Sequence, residues 1–134
     1  SFASDDLVIS TQLVEPSYVS LNSALLLHGV IQQVSRNVEC VATKNSLHLK
    51  KLGVTYHKIP PSSSFGYKKQ ERGNSYALVA DAEKAIIDGL YLNVYSRKDL
   101  LEFKSQIDFR KLLEFAERFK GRGSKKIKEL VKNA

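Results

Sequence analysis

ALVADAEKAIIDGLYL, residues 77–92, is where the chain changes its hydrophobic period. Up to Ala80 the residues are β-prone, with Leu78 and Val79 on one arm of an expected hairpin. Beyond Asp81 the small and apolar residues Ala82, Ala85, Ile86, Gly89 and Leu90 recur at i, i+3, i+4, i+7 and i+8, the stripe of a single helix face. Asp81 stands where an N-cap is needed, and Glu83 in the first turn suits the positive end of the helix dipole. A half rich in strands gives way here to a half rich in helices.

Working back from this point, FGYKKQERGNSYALVA (65–80) reads as a hairpin with ERGN as its turn and Phe65, Tyr67 and Tyr76 also on the arms. LGVTYHKI (52–59) sets Val54, Tyr56 and Lys58 against Thr55, His57 and Ile59, and NVECVAT (37–43) sets Val38, Cys40 and Ala42 against Glu39, Val41 and Thr43. Both alternations are strand patterns, and Pro60 and Pro61 end the first because proline has no N–H for a ladder. Further upstream, Ser20 caps a short helix whose face is Leu21, Ala24, Leu25 and His28, with Gly29 as its left-handed terminator. Residues 1–16, with LVIST between polar flanks and Pro16 at the end, read as a linker or edge strand.

Downstream lie three more helices. SRKDLLEFKSQ (96–106) opens with Ser96 as cap and Asp99 three residues on. DFRKLLEFAERF (108–119) carries Phe109, Leu112, Leu113 and Ala116 on one face, and SKKIKELVKNA (124–134) is capped by Ser124. The expected fold is α+β: a small, mainly antiparallel or mixed sheet of three to five strands, packed with an early helix and followed by a C-terminal helical segment. Residues 1–96 form the core with its N-terminal linker, and 97–134 form a basic helical extension of the same compact unit.

The 134 residues fit one hydrophobic core, and no run of about 18 apolar residues is present, so membrane partners are not expected. The opening segment lacks the basic and apolar regions of a secretory signal, and the chain has no Met, so residue 1 does not read as a translation start. A lone cysteine, Cys40, makes no internal disulfide and suits a reducing, cytoplasmic setting. It lies in a half-buried strand pattern, where thiols are inert. His48 and His57 lack metal-ligand spacing, Ser62–Ser64 lack a nucleophile elbow, and GRGSKK lacks P-loop spacing, so neither a cofactor nor a metal is expected. Asp81, Glu83 and Asp88 form the closest acidic set, the only support for an alternative as a degenerate or cryptic metal-dependent nuclease. A protein-interaction module docking through the helices after Ser96 is a further alternative.

Charge is the better guide. The net charge is +7, and residues 97–134 hold twelve Lys and Arg against six Asp and Glu. Arg110, Lys120, Arg122, Lys125, Lys126, Lys128 and Lys132 are candidate phosphate contacts, with Lys125, Lys128 and Lys132 along one side of a helix, Lys126 adjacent, and Ile127, Leu130 and Val131 opposite. A second basic stretch holds Lys44, Lys50, Lys51, Lys58, Lys68, Lys69 and Arg72 against only Glu71, and all of these but Lys58 are candidate phosphate contacts. The segment 120–132 has no aromatic residue to stack on a base, so the expected contact with DNA is electrostatic and independent of base sequence.

EPSYVSLNSALLLHGV (15–30), then VECVAT, YHKIPPSSSFGY and ALVADAEKAIIDGLYL in that order, resemble the antitoxin and transcriptional-regulator domain of the type IV toxin–antitoxin family AbiEi, over about residues 14–92. The resemblance implies a non-catalytic regulator from an abortive-infection (phage-defence) system in a prokaryote, and a DNA-binding autorepressor. It also implies a nucleotidyltransferase-like toxin that is countered without a stable direct complex. It makes His28 part of a signature helix that packs on the sheet, with Asp88 of the second motif as its expected buried partner. Family members carry a winged helix-turn-helix ahead of this domain. The residues given ahead of the first motif, about a dozen, are too few to contain that module, so the DNA contacts expected of these residues are non-specific phosphate contacts.

Overall fold

The computed structural model describes residues 4–32 and 36–134. The elements are α1 (Ser4–Leu13), β1 (Ser17–Val19), α2 (Leu21–Leu27), β2 (Val38–Ala42), β3 (Leu47–Leu49), β4 (Val54–Lys58), β5 (Tyr67–Arg72), β6 (Ser75–Ala80), α3 (Ala82–Tyr91), α4 (Arg97–Phe103), α5 (Phe109–Arg118) and α6 (Ser124–Lys132). The fold is α+β, with a mixed sheet of six strands in the order β3-β4-β2-β1-β6-β5. That exceeds the three to five strands expected, because β1 and β3 are three residues each, too short to show an alternation.

Strands β1/β2, β3/β4 and β5/β6 pair antiparallel, whereas β2/β4 and β1/β6 pair parallel. The alternation expected for β4 holds, with Val54 and Tyr56 buried; in β2 Val41 is buried as well as Val38, Cys40 and Ala42, because this inner strand is covered on both faces. Register places Tyr56 opposite Cys40 and Tyr18 opposite Val41, so the two tyrosines leave opposite faces of the sheet. Tyr56 donates to the Ser10 carbonyl on α1, and Tyr18 donates to Asp88 on α3. The sheet therefore lies between α1 on one side and α2 and α3 on the other, with α5 and α6 packed outside α3.

Helix α1 replaces the linker or edge strand expected for this region; residues 1–3 lie outside the described residues. Its sequence has almost no amphipathic period. Leu7, Ser10 and Thr11 are nevertheless buried against the sheet. Ser10 and Thr11 donate their hydroxyls to carbonyls one turn back, at Asp6 and Leu7, which lets polar residues sit on a buried helix face. Tertiary packing, rather than local pattern, makes this helix.

Several local signals act as expected. Gly29 ends α2 at φ 74°, with Val30 N–H donating to Leu25 and Gly29 N–H to Leu26, the double bond of a Schellman terminus. Gly73 holds φ 62° at the first central position of the β5–β6 turn. Ser96 and Asp99 form a reciprocal capping box at α4. Two expected caps are diverted: Ser20 and Asp81 stand at N-cap positions but make no capping bond. Helix α6 begins at Ser124 with Gly123 at its cap position, so Ser124 is its first residue rather than its cap.

Helix α3 is buried along Ala82–Leu90, not on one face alone, since the sheet and α2 lie against one side and α5 and α6 against the other. Gly89 allows the tightest approach: a β-carbon there would lie 2.0 Å from the Tyr95 ring.

Candidate functional site

The direction of the strands decides where basic residues meet. Strand β4 runs antiparallel to β6, and α3 turns back across β6, so the C-terminal ends of β4 and α3 reach the same end of the sheet. The loop into α6 is fastened there. Ser63 donates its hydroxyl to the Lys120 carbonyl at 2.8 Å and accepts the Lys120 N–H at 3.0 Å. Gly121 follows at φ 114°, where a β-carbon would lie 2.9 Å from the Pro60 ring, so only glycine lets the loop close onto the proline. Ser63 thus acts as a clasp.

This arrangement forms a groove of about 460 Å³ between the end of α3, the end of β4 and the start of α6. Three cationic residues from two distant stretches of sequence line it: Lys58 from one, and Arg122 and Lys126 from the other. Among the described residues none of the three makes an ion pair. Leu90, Leu92, Ile127 and Leu130 supply an apolar floor, and Tyr91 and Asn93 complete the wall. Asn93 holds a left-handed backbone at φ 60°, an uncommon conformation that asparagine tolerates better than most residues.

The other basic candidates are dispersed. Lys44, Lys50 and Lys51 lie exposed around β3, at one edge of the sheet, while Lys68, Lys69 and Arg72 lie on β5 at the opposite edge. The stretch from Lys44 to Arg72 is therefore two surfaces. Lys68 approaches Asp81 at 3.9 Å, Lys69 stacks over Tyr76 at 4.5 Å, and Arg72 donates to Gln70 at 3.0 Å. Arg110, Lys120 and Lys125 are exposed and Lys128 is half-buried. Lys132 approaches Glu117 at 3.9 Å. On α6 it is Lys126, and not the Lys125, Lys128 and Lys132 side, that enters the groove. Sequence reasoning counted Lys58 in the basic stretch but passed it over as a contact, because its position belonged to a strand alternation.

A group of buried polar residues is held in closed contacts. Lys84 and Asp88, one turn apart on α3, are both fully buried and lie 2.6 Å apart. The Lys84 ammonium also donates to the Tyr18 hydroxyl at 2.7 Å and the Ser63 carbonyl at 2.9 Å. Asp88 accepts from Tyr18 at 2.9 Å and from Ser20 at 2.8 Å. Burial pushes the Asp88 carboxyl up and the Lys84 ammonium down, each opposed by the other's charge. Burial, and then Asp88, push the Tyr18 hydroxyl up, which keeps it protonated as a donor. This network takes the place of the buried His28–Asp88 contact expected from sequence. His28 is exposed and donates Nε2 to the Ala80 carbonyl at 2.8 Å, tying the end of α2 to the end of β6.

The three carboxylates nearest in sequence do not share an opening. Asp81 takes the Lys111 ammonium at 2.8 Å, and Glu83 accepts the Asp108 N–H at 2.9 Å with Lys111 at 3.7 Å. Burial pulls Lys111 down, but Asp81 and Glu83 outweigh it and hold the ammonium charged. Asp88 points inward to Lys84. Among the described residues no three His, Cys, Asp or Glu side chains are grouped to hold a metal. Cys40 is buried in β2, and burial pushes its thiol up, away from the thiolate. His57 and Glu39 meet at 2.8 Å beside a cavity of about 120 Å³ lined by Leu21, Asn22, Glu39, His57 and Val94. Burial raises the Glu39 carboxyl, but bonds from His57 and Asn37 outweigh it and hold it below its ordinary value.

Among the described residues no helix is long and apolar enough to cross a membrane. No protein-family model matches the chain, and no curated protein is detectably similar to it in sequence.

Proposed function

We propose that the chain is a non-catalytic regulator domain of the AbiEi antitoxin type, acting in the cytoplasm. In this reading it adds phosphate contacts to the binding of promoter DNA and counters a nucleotidyltransferase-like toxin without holding it in a stable complex. The two motifs in residues 15–30 and 77–92 support the regulatory part. The observation that carries DNA binding is the meeting of Lys58, Arg122 and Lys126 in one groove whose lining contains no carboxylate.

Those cations have one competing use, since they surround the C-terminal end of α3, whose dipole presents about half a negative charge. Half a charge is offset by one of three cations, and the surplus attracts a polyanion. A metal-dependent nuclease would need Asp81, Glu83 and Asp88 to face one opening. The pairing of the first two with Lys111 and the enclosure of the third favour binding over catalysis.

The test is the salt dependence of binding to duplex DNA by fluorescence anisotropy. Each phosphate contact contributes about −0.9 to the slope of log K against log salt. Replacing Lys58, Arg122 and Lys126 with alanine together flattens that slope by about two to three units and weakens binding to unrelated sequences alike. An unchanged slope and affinity would refute the assignment.

A further inference from the structure

We infer that the groove takes a single nucleotide unit with its base unpaired, so that the chain prefers single-stranded nucleic acid to duplex. This rests on the phosphate-binding reading above and extends it to the form of the ligand. The observation is the mixture of surfaces: three cations share the groove with Leu90, Leu92, Ile127, Leu130 and Tyr91. A duplex offers only its sugar-phosphate ridges to such a recess, because its bases are stacked and its grooves are about 6 and 12 Å wide. Apolar floor beneath a ridge would be left uncovered. An unpaired nucleotide matches both surfaces, with its phosphate between the cations and its base and sugar against the floor.

Two more features agree. The volume, about 460 Å³, lies within the range of about 300–1,000 Å³ usual for sites that enclose a small ligand. The fold also supplies what residues 120–132 lack. Tyr91 comes from the end of α3 into the same groove as Arg122 and Lys126, and interleaved aromatic and cationic groups are the means by which single strands are held without sequence preference. The Tyr91 ring is braced by Phe119, with centroids 5.0 Å apart. Asn93 adds an amide at the rim, able to donate to and accept from a base edge.

The same chemistry is present in a free nucleotide, and the experiment separates the two sources. Fluorescence anisotropy is measured with the full chain, at one salt concentration, on a labelled 12-nucleotide single strand and on the duplex of the same sequence, with adenosine monophosphate and inorganic phosphate as competitors. The single strand binds about tenfold more tightly than the duplex, and the mononucleotide competes better than phosphate. Leu130→Gln and, separately, Tyr91→Leu bring the ratio of single-strand to duplex affinity from about ten down to about one; circular dichroism checks that both variants fold. Equal binding of the two DNA forms, indifferent to both substitutions, overturns the inference and leaves the proposed function standing. Failure to bind either form overturns both. Binding of the mononucleotide with the single strand no tighter than the duplex reassigns the groove to a free nucleotide and overturns the preference for strands.

Discussion

Removing both members of the Lys84–Asp88 pair should cost clearly less than the two single removals added together. Asp88 accepts three hydrogen bonds, from Lys84 at 2.6 Å, Ser20 at 2.8 Å and Tyr18 at 2.9 Å, and no water reaches it. Asp88→Ala leaves a buried ammonium facing the rings of Phe65 and Phe119, with only the Tyr18 hydroxyl and the Ser63 carbonyl as partners. Breaking a buried pair from one side costs about 3–5 kcal/mol, a large part of the about 5–15 kcal/mol that holds a domain folded. Lys84→Met is milder than Asp88→Ala, since Asp88 keeps two hydroxyl donors. In Lys84→Met with Asp88→Ala no charge is stranded, and the double variant is more stable than the sum of the single losses predicts by about 2–3 kcal/mol. Urea unfolding followed by circular dichroism reads the three variants, with a slope of about 1–3 kcal/mol per molar urea converting midpoints to energies. Single losses that add without coupling, or that each stay under about 1 kcal/mol, would refute the view that this pair joins α3 to β1 and the Ser63 loop.

Gly89→Ala tests the packing of α3 on Tyr95. In an open helix the change stabilises by up to about 1 kcal/mol, but here the new β-carbon meets the Tyr95 ring at 2.0 Å and forces it off Phe103 and off the Asn22 side chain, to which its hydroxyl donates at 2.7 Å. Overpacking costs about 1–3 kcal/mol, so the melting temperature falls; a rise would show that the contact is slack. Glu39 sets an acid limit on stability. Because its folded-state value is lowered, its contribution is complete above the unfolded value of about 4.3 and is lost as pH falls through the folded-state value. Glu39→Gln therefore narrows the stability difference between pH 6 and pH 3, as read by urea midpoints, and an unchanged difference would refute the role given to the His57 and Asn37 bonds.

Much of the sheet was legible because the sequences of β2 and β4 alternate at period two, the β5–β6 arms are rich in β-prone residues, and the turn and cap residues Gly29, Gly73 and Ser96 act locally. What sequence hid was decided by partners distant in the chain. Helix α1 forms because Leu7, Ser10 and Thr11 meet the sheet, and β1 and β3 exist only as pairing partners. Ser20 and Asp81 forgo their caps because a carboxylate and two lysines are nearer calls on their oxygens. Asp88 could be singled out as a carboxylate in mid-helix, yet its partner is Lys84 one turn away, masked by the habit of reading lysine as a surface residue. The groove was half legible. Arg122 and Lys126 were named with the rest of the basic tail, but Lys58 and Tyr91 join them only through the direction of β4 and α3.

The groove is tested most directly by titrating duplex DNA into the isotope-labelled protein and following backbone amide resonances. The account predicts that the largest shifts fall at Lys58, Asn93 and residues 122–127. Shifts confined to Lys68, Lys69 and Arg72 on the far edge, or to the Lys44–Lys51 edge, would contradict it.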